Sequence, residues 1–450
     1  MTSRRSNRGL HLLSSAPSFR WLFLATLGSG LGTGIAVIAL TVDVYDRTGS
    51  GTWVAALLIA DFLPMLAIGL LLGPLVDRFS RRRLMVASDL ARLGVFCALP
   101  FAGTPAVVVA LAGVAGLATG FFRPAVYAGM PNLVAERDLP HANGLFQTIE
   151  NLTFLAGPLL GGLLLAISGA DLAYWVNAAT FALSAALIAR IPDRLLQSAP
   201  AGTRGHWHDL VEGFAVVRRS RALMTVLVAW TVVMLANGGV NVAEVALAKV
   251  VFGAGNLGLG LLMASAGLGL VLGSITAGGW LGRRTVAEVY GGAIALMALG
   301  ITATALSPNI WVGALCVVVS GYGNGVAGVC NPLLVQRGAP DRLRGRAFTV
   351  VMSVNFAMLG VGMAVAGPLT DGFGARWVWG GAGAVFLVAA GIAYALARTL
   401  EPEPLDLDTV EPGAERMLVS SAAAPLATVA EATPRGQTPL QEPHRSGTRV

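Results

Sequence analysis

Three acidic residues fall inside otherwise apolar runs: Asp61, Glu150 and Glu244. A carboxylate carried into a bilayer costs roughly 2.5 to 3.5 kcal/mol on insertion scales, so each needs a partner or a task. The task open to such a group is reversible proton binding, because the charge of a desolvated carboxylate responds to small changes around it. Asp61 lies twelve residues before Gly73, about 18 Å from that end of its helix. Glu150 precedes Gly157 by seven residues, which puts it on the helix face of Gly157 and Gly161. Glu244 follows Asn237 by seven residues and Asn241 by three, giving a polar stripe. All three acids are candidates for lining a cavity, and one of them for exchanging a proton against a substrate. Structural pairing, or a place near the headgroups, is the alternative for each. Asn237, Asn241, Asn355 and Tyr127 would add neutral hydrogen bonds to a substrate.

A second charged set sits nearer the basic loops. Asp89 and Arg92 are three apart, close enough to neutralise each other or to join Asp77 and Arg78. Arg123 falls in the same region and is expected in that inner charge network.

The elements that must hold these groups are membrane helices. The chain has 450 residues, 55% hydrophobic and only 12% charged, whereas soluble domains carry about 25% charged residues. A span needs roughly 20 apolar residues. Twelve segments qualify: 20 to 43, 52 to 76, 84 to 102, 105 to 130, 144 to 168 and 172 to 191, then 222 to 248, 255 to 281, 286 to 306, 309 to 334, 347 to 371 and 375 to 398. The expected fold is an all-α membrane protein of 12 transmembrane helices in two six-helix halves. Residues 1–19 form an N-terminal segment, 20–191 the first bundle, 192–221 a linker with an amphipathic surface helix, 222–398 the second bundle, and 399–450 a disordered tail.

Nearly all the basic charge is arginine, 30 residues against the single Lys249. Alternate loops and the N-terminus, with flanking Arg20 and Arg190, hold 21 basic residues, while the opposite loops hold only Arg47, Arg376 and the helix-end Lys249. The positive-inside rule then places both termini in the cytoplasm. Cys97, Cys316 and Cys330 lie in apolar runs without metal-ligand spacing, so neither a disulfide framework nor a metal site is expected. The halves also echo each other. Gly120 with Met130 to Val134 parallels Gly321 with Asn331 to Val335, Arg81 and Arg82 parallel Arg283 and Arg284, and Gly157 to Gly162 parallels Gly367 to Gly372. Such internal duplication is common in secondary transporters, whose substrate site lies between the repeats.

Gly73, Leu75, Asp77, Arg78, Arg81 and Arg82 resemble the G-x-L-x-D-R-x-x-R-R pattern of the major facilitator superfamily, with Ser80 where the family has a glycine. That resemblance implies the major facilitator fold, with a charge-paired latch between the halves on the cytoplasmic side. Phe122 to Ala125, Pro131 to Val134, Ala142 with Asn143, and Arg344 to Phe348 look like the bacterial siderophore and macrolide exporters of this family. Gly144, Gly157, Pro158, Gly161 and Gly162 resemble the fifth-span pattern of drug and proton antiporters, with Thr153 in place of one glycine. Ordinary small-residue packing is the other reading of those glycines. If Gly120 is the glycine of the family's fourth-span R-x-x-Q-G motif, Gly116 occupies the arginine position.

The implied function is export of a small amphiphilic molecule, such as a drug, siderophore or secondary metabolite, by proton-coupled alternating access across the plasma membrane. Import of a small metabolite, or a non-transporting membrane sensor, is the alternative. An ATP-driven pump would need a phosphate loop, and Ala248 precedes the only lysine. An enzyme would need a compact catalytic cluster, yet the five histidines are scattered through termini and loops. The expected partners are a substrate, protons and lipid, with no nucleic acid and no cofactor, and the chain is expected to act as a monomer.

Overall fold

A computed structural model gives the fold and describes residues 12–71, 79–196, 214–339 and 343–400. Gly73, Asp77, Arg78, most of the expected linker and the tail from residue 401 lie outside the described residues.

Among the described residues, eleven helices are long and apolar enough to cross a membrane. They are α1 (Pro17–Thr48), α2 (Gly51–Leu71), α3 (Arg81–Ala98), α4 (Pro105–Gly129), α5 (Leu139–Ala189), α6 (Arg221–Ala246), α7 (Gly255–Leu281), α8 (Val286–Leu306), α9 (Ile310–Gly338), α10 (Arg344–Phe373) and α11 (Ala375–Ala397). Their ends follow local rules. Thr104, Ser220 and Asn309 accept backbone N–H bonds at the starts of α4, α6 and α9, and Thr285 with Glu288 forms a capping box on α8. Left-handed Gly49 closes α1.

The sequence predicts two spans, 144 to 168 and 172 to 191, where the structure has the single 51-residue run α5. Gly169 breaks it, with φ 76° and ψ −174°. That backbone region is nearly closed to residues bearing a Cβ. The chain turns at one residue there, so helical hydrogen bonding resumes without an intervening loop.

Helices α1 to α5 pack among themselves, as do α6 to α11, and the two sets meet chiefly along α2 against α10 and α5 against α7. Small residues make this possible. A Cβ on Gly362 would collide with the Leu235 carbonyl, and one on Gly238 would approach the Met363 nitrogen to 2.5 Å, so α6 and α10 lie backbone to backbone. Helices α7 and α9 do the same through Gly269, Gly273, Gly321 and Gly325. With no water to drive apolar faces together in a bilayer, such close approach supplies much of the attraction.

Candidate functional site

The polar residues predicted from sequence gather in three places. Inside the first half, Arg92 Nη2 donates to Asp89 Oδ1 at 2.5 Å, and Ser184 Oγ donates to Asp89 Oδ2 at 2.7 Å. Asp89 is 0% exposed and Arg92 4%. The guanidinium lies 4.3 Å from the ring centres of both Phe122 and Phe181, an arrangement that favours a desolvated cation. This pair is thus part of the bundle interior, while Asp77 and Arg78 fall outside the described residues. Asp61 lines a cavity of about 30 Å³ that Arg92 also lines.

A second cluster joins α4 to α5. Arg123 Nη2 lies 3.2 Å from Glu150 Oε1, and the Tyr127 hydroxyl donates to the same oxygen. Glu150 keeps 13% of its side-chain surface and Arg123 32%, so the pair remains accessible. Sequence reasoning put Arg123 with the inner charges and Glu150 and Tyr127 with the substrate. The structure brings all three together: their side chains reach across from two helices, a meeting that spacing along one helix does not show.

The third group is on α6. Glu244 is 8% exposed and, among the described residues, has no ion pair or hydrogen bond through its carboxylate. A π-helical turn, Leu247–Val251, follows it. Asn237 and Asn241 stay partly exposed on the same helix. Asn355 of α10 is 1% exposed and accepts a bond from Thr231 Oγ1 at 2.9 Å.

The glycines divide in role. A Cβ on Gly157 would meet Gly34 Cα at 2.8 Å and one on Gly161 the Ile35 carbonyl at 3.0 Å, so both seat α5 on α1. One on Gly162 would meet the Asn256 carbonyl at 2.9 Å across the halves, whereas nothing lies near Gly144. Pro158 is mid-helix in α5. Arg81 Nη1 donates to the Ala128 carbonyl at 2.7 Å, tying α3 to α4, and Arg82 is partly exposed.

Sequence reasoning missed the contacts that hold the halves together on the arginine-poor face. Asp371, near the end of α10, accepts from Gly51 N at 2.5 Å, Thr52 N at 3.1 Å, Ser50 Oγ at 2.8 Å and Thr52 Oγ1 at 2.6 Å. An acid of one half thereby caps the first turn of α2 in the other, where the helix dipole favours negative charge. Lys249 pairs with Asp46 beside it. Deeper in, Phe62 of α2 meets Phe356 of α10 at 5.3 Å between ring centres. The rarity of charge on this face was the available signal: Lys249 and Asp371 are among its few charged residues. A cavity of about 400 Å³, bordered by Trp280, Arg284, Glu288 and Tyr322, opens at the other end of the second half and holds none of the expected residues.

The sequence matches the family model described as Major Facilitator Superfamily over residues 22–250 and again over 231–433. The multidrug efflux pump Tap of Mycolicibacterium fortuitum is 30% identical over 381 residues, 78% of this chain and 89% of that protein. Tap of Mycobacterium tuberculosis (strain ATCC 25618 / H37Rv) is 30% identical over 398 residues, 82% and 89% of the two chains. Macrolide efflux protein A of Streptococcus pyogenes is 24% identical over 354 residues, 75% and 86%. Among solved structures, the nucleoside transporter NupG superposes with a TM-score of 0.70 at 13% identity, over 84% of this chain and 99% of that one. A bacterial homologue of the iron transporter ferroportin, in an inward-facing state, gives 0.65 at 16% identity, over 84% and 98%. These two likenesses concern the fold alone.

Proposed function

The chain belongs to the major facilitator superfamily, and from that membership we propose that it is a multi-pass plasma-membrane efflux transporter that carries a small amphiphilic molecule out of the cell in exchange for protons. The observation that carries this reading is its kinship, over most of its length, with proteins named as multidrug and macrolide efflux pumps. Those names speak against import.

The spans number twelve on this reading. A 51-residue helix is about 77 Å long, more than twice the hydrocarbon thickness. Gly169 divides it into two crossings, and an even count returns both termini to one side. The arginine bias makes that side the cytoplasm. The two bundles are then residues 20–191 and 222–398, joined through 192–221. The Asp371 cap and the Lys249–Asp46 pair become outer contacts, which close the outward side in the state described here. Rocking the bundles about α2/α10 and α5/α7 would reverse this.

Glu150, held by Arg123 and Tyr127 yet still accessible, is the acid we assign to the substrate. A cationic or hydrogen-bonding compound can replace one of its present partners. Asn237, Asn241 and Glu244 of α6, with Asn355 of α10, supply the opposing side.

The test is accumulation of ethidium and of erythromycin in inside-out vesicles with an acid interior. The intact protein is expected to concentrate at least one of them, with collapse on addition of a protonophore. Glu150→Gln is expected to lower the rate about tenfold, equivalent to about 1.4 kcal/mol. Vesicles that accumulate neither compound above empty-vector controls would contradict export of this class. Accumulation insensitive to the proton gradient would contradict the coupling.

A further inference from the structure

Thr33 of α1, Asp61 of α2, Arg92 of α3, Thr119 of α4 and Asn177 of α5 converge on the cavity of about 30 Å³ inside the first half. That is room for about one water molecule. Two buried donors beside it have no partner, Arg92 Nε and Asn177 Nδ2. Neither atom can accept a hydrogen bond, so both call for an acceptor. The Thr33 and Thr119 hydroxyls already donate to the carbonyls of Ser29 and Ala115, at 2.8 Å and 2.9 Å, which leaves them only accepting lone pairs. The charged acceptor on this cavity is Asp61, whose carboxylate makes no hydrogen bond among the described residues and whose surface is mostly covered.

One guanidinium therefore stands between two carboxylates. It is bonded to Asp89 and faces Asp61 across the cavity. Among the described residues, the further charged group near this set is Arg123 of α4, while α1 and α5 bring the neutral Thr33 and Asn177, and α10 brings Phe356 beside Phe62. Two acids and one arginine in a low-dielectric interior are least costly with one proton among them. Asp89 is fixed by Arg92 and Ser184, which leaves Asp61 as the place for that proton. The backbone at Asp61 is seated directly on Gly116.

We propose that this cavity is the proton-binding site of the transporter, with Asp61 as the titrating group and Arg92 as the positioning cation that is shared between Asp89 and Asp61. The proposal rests on the proton-coupled reading above and names its site. With Arg92 committed to Asp89, Asp61 holds the proton. When Arg92 Nε turns to Asp61, directly or through one water, the carboxylate ionises and its proton passes to bulk water. The next residue, Phe62, touches Phe356, and the first turn of α2 is the one Asp371 caps. A charge change at Asp61 is thereby felt on the helix that joins the halves.

The experiment measures the distance between spin labels at Trp53→Cys and Phe373→Cys, exposed positions on the two halves. The full chain is held in nanodiscs from pH 5 to 9, with Cys97, Cys316 and Cys330 replaced by alanine. The otherwise intact protein is expected to shift between two distance populations with one midpoint. Asp61→Asn is expected to lose the midpoint and keep the low-pH distribution throughout. Arg92→Lys is expected to raise the midpoint by about one pH unit, since a shorter cation favours the ionised Asp61 less. If Asp61→Asn is not recovered folded, Arg92→Lys decides, and an unchanged midpoint overturns the proposal. Retention of the midpoint in Asp61→Asn, or its loss in Glu244→Gln instead, also overturns it. A distance independent of pH in the parent protein overturns the coupled reading itself, a distinguishable failure.

Discussion

Gly116 and Asp61 meet where α4 crosses α2, and a Cβ on Gly116 would collide with the Asp61 carbonyl oxygen. In sequence, Gly116 reads as the loss of a family arginine. In the fold, its place is filled by the backbone of α2, and a cation arrives from the neighbouring helix through Arg92. Gly116→Ala is expected to cost about 1–3 kcal/mol by overpacking, visible as a lowered melting temperature in detergent. Asp89→Ala should cost more, about 3–5 kcal/mol, because it leaves Arg92 buried without its acid, and Asp89→Asn should recover part of that loss through the Ser184 contact. The acid and arginine residues were legible from type and spacing. Their partners were not, since Ser184, Asn177, Phe122 and Phe181 come from other helices.

Helix α2 is the element through which the halves hold each other. Its N-terminus is capped by Asp371, its middle touches α10 through Phe62, and its far face seats α4. Loss of a capping side chain costs about 1 kcal/mol. Asp371→Ala is therefore expected to shift the closed-to-open ratio of the arginine-poor face about fivefold toward open, read as a longer separation of labels at Trp53→Cys and Phe373→Cys. The neighbouring Lys249–Asp46 pair leaves Asp46 half exposed, and surface pairs contribute about 0–1 kcal/mol, so Lys249→Ala should move the ratio less. Most span limits were legible because apolar runs end at loops. The Gly169 break was placed between two spans without showing that they adjoin as one helical run, since a one-residue turn leaves almost no polar signal.

For the whole molecule, the proposed alternating access requires the arginine-poor face to open in every cycle. A bismaleimide cross-link between Asp46→Cys and Lys249→Cys, which replaces the reach of the ion pair, is expected to abolish transport; full transport with the link formed would contradict rocking about these contacts. The twelve-span count is checked separately, with a reporter fused after Arg398 that is active only in the cytoplasm. An outside location for that reporter would require an odd number of crossings.

Composition and hydropathy by themselves determined that this chain lives in a bilayer and that its arginines cluster in the breaks between apolar runs. Those are properties of single segments and of the water–lipid boundary, which acts on each segment independently. Only the tertiary structure decided that Arg123 belongs with Glu150, that Arg92 stands between two acids, and that Asp371 caps a helix 320 residues away from it in the chain. These depend on which helices pack together. In a membrane, that choice rests on backbone approach at particular glycines and on buried polar contacts, which span several helices and leave no periodic trace in any one of them.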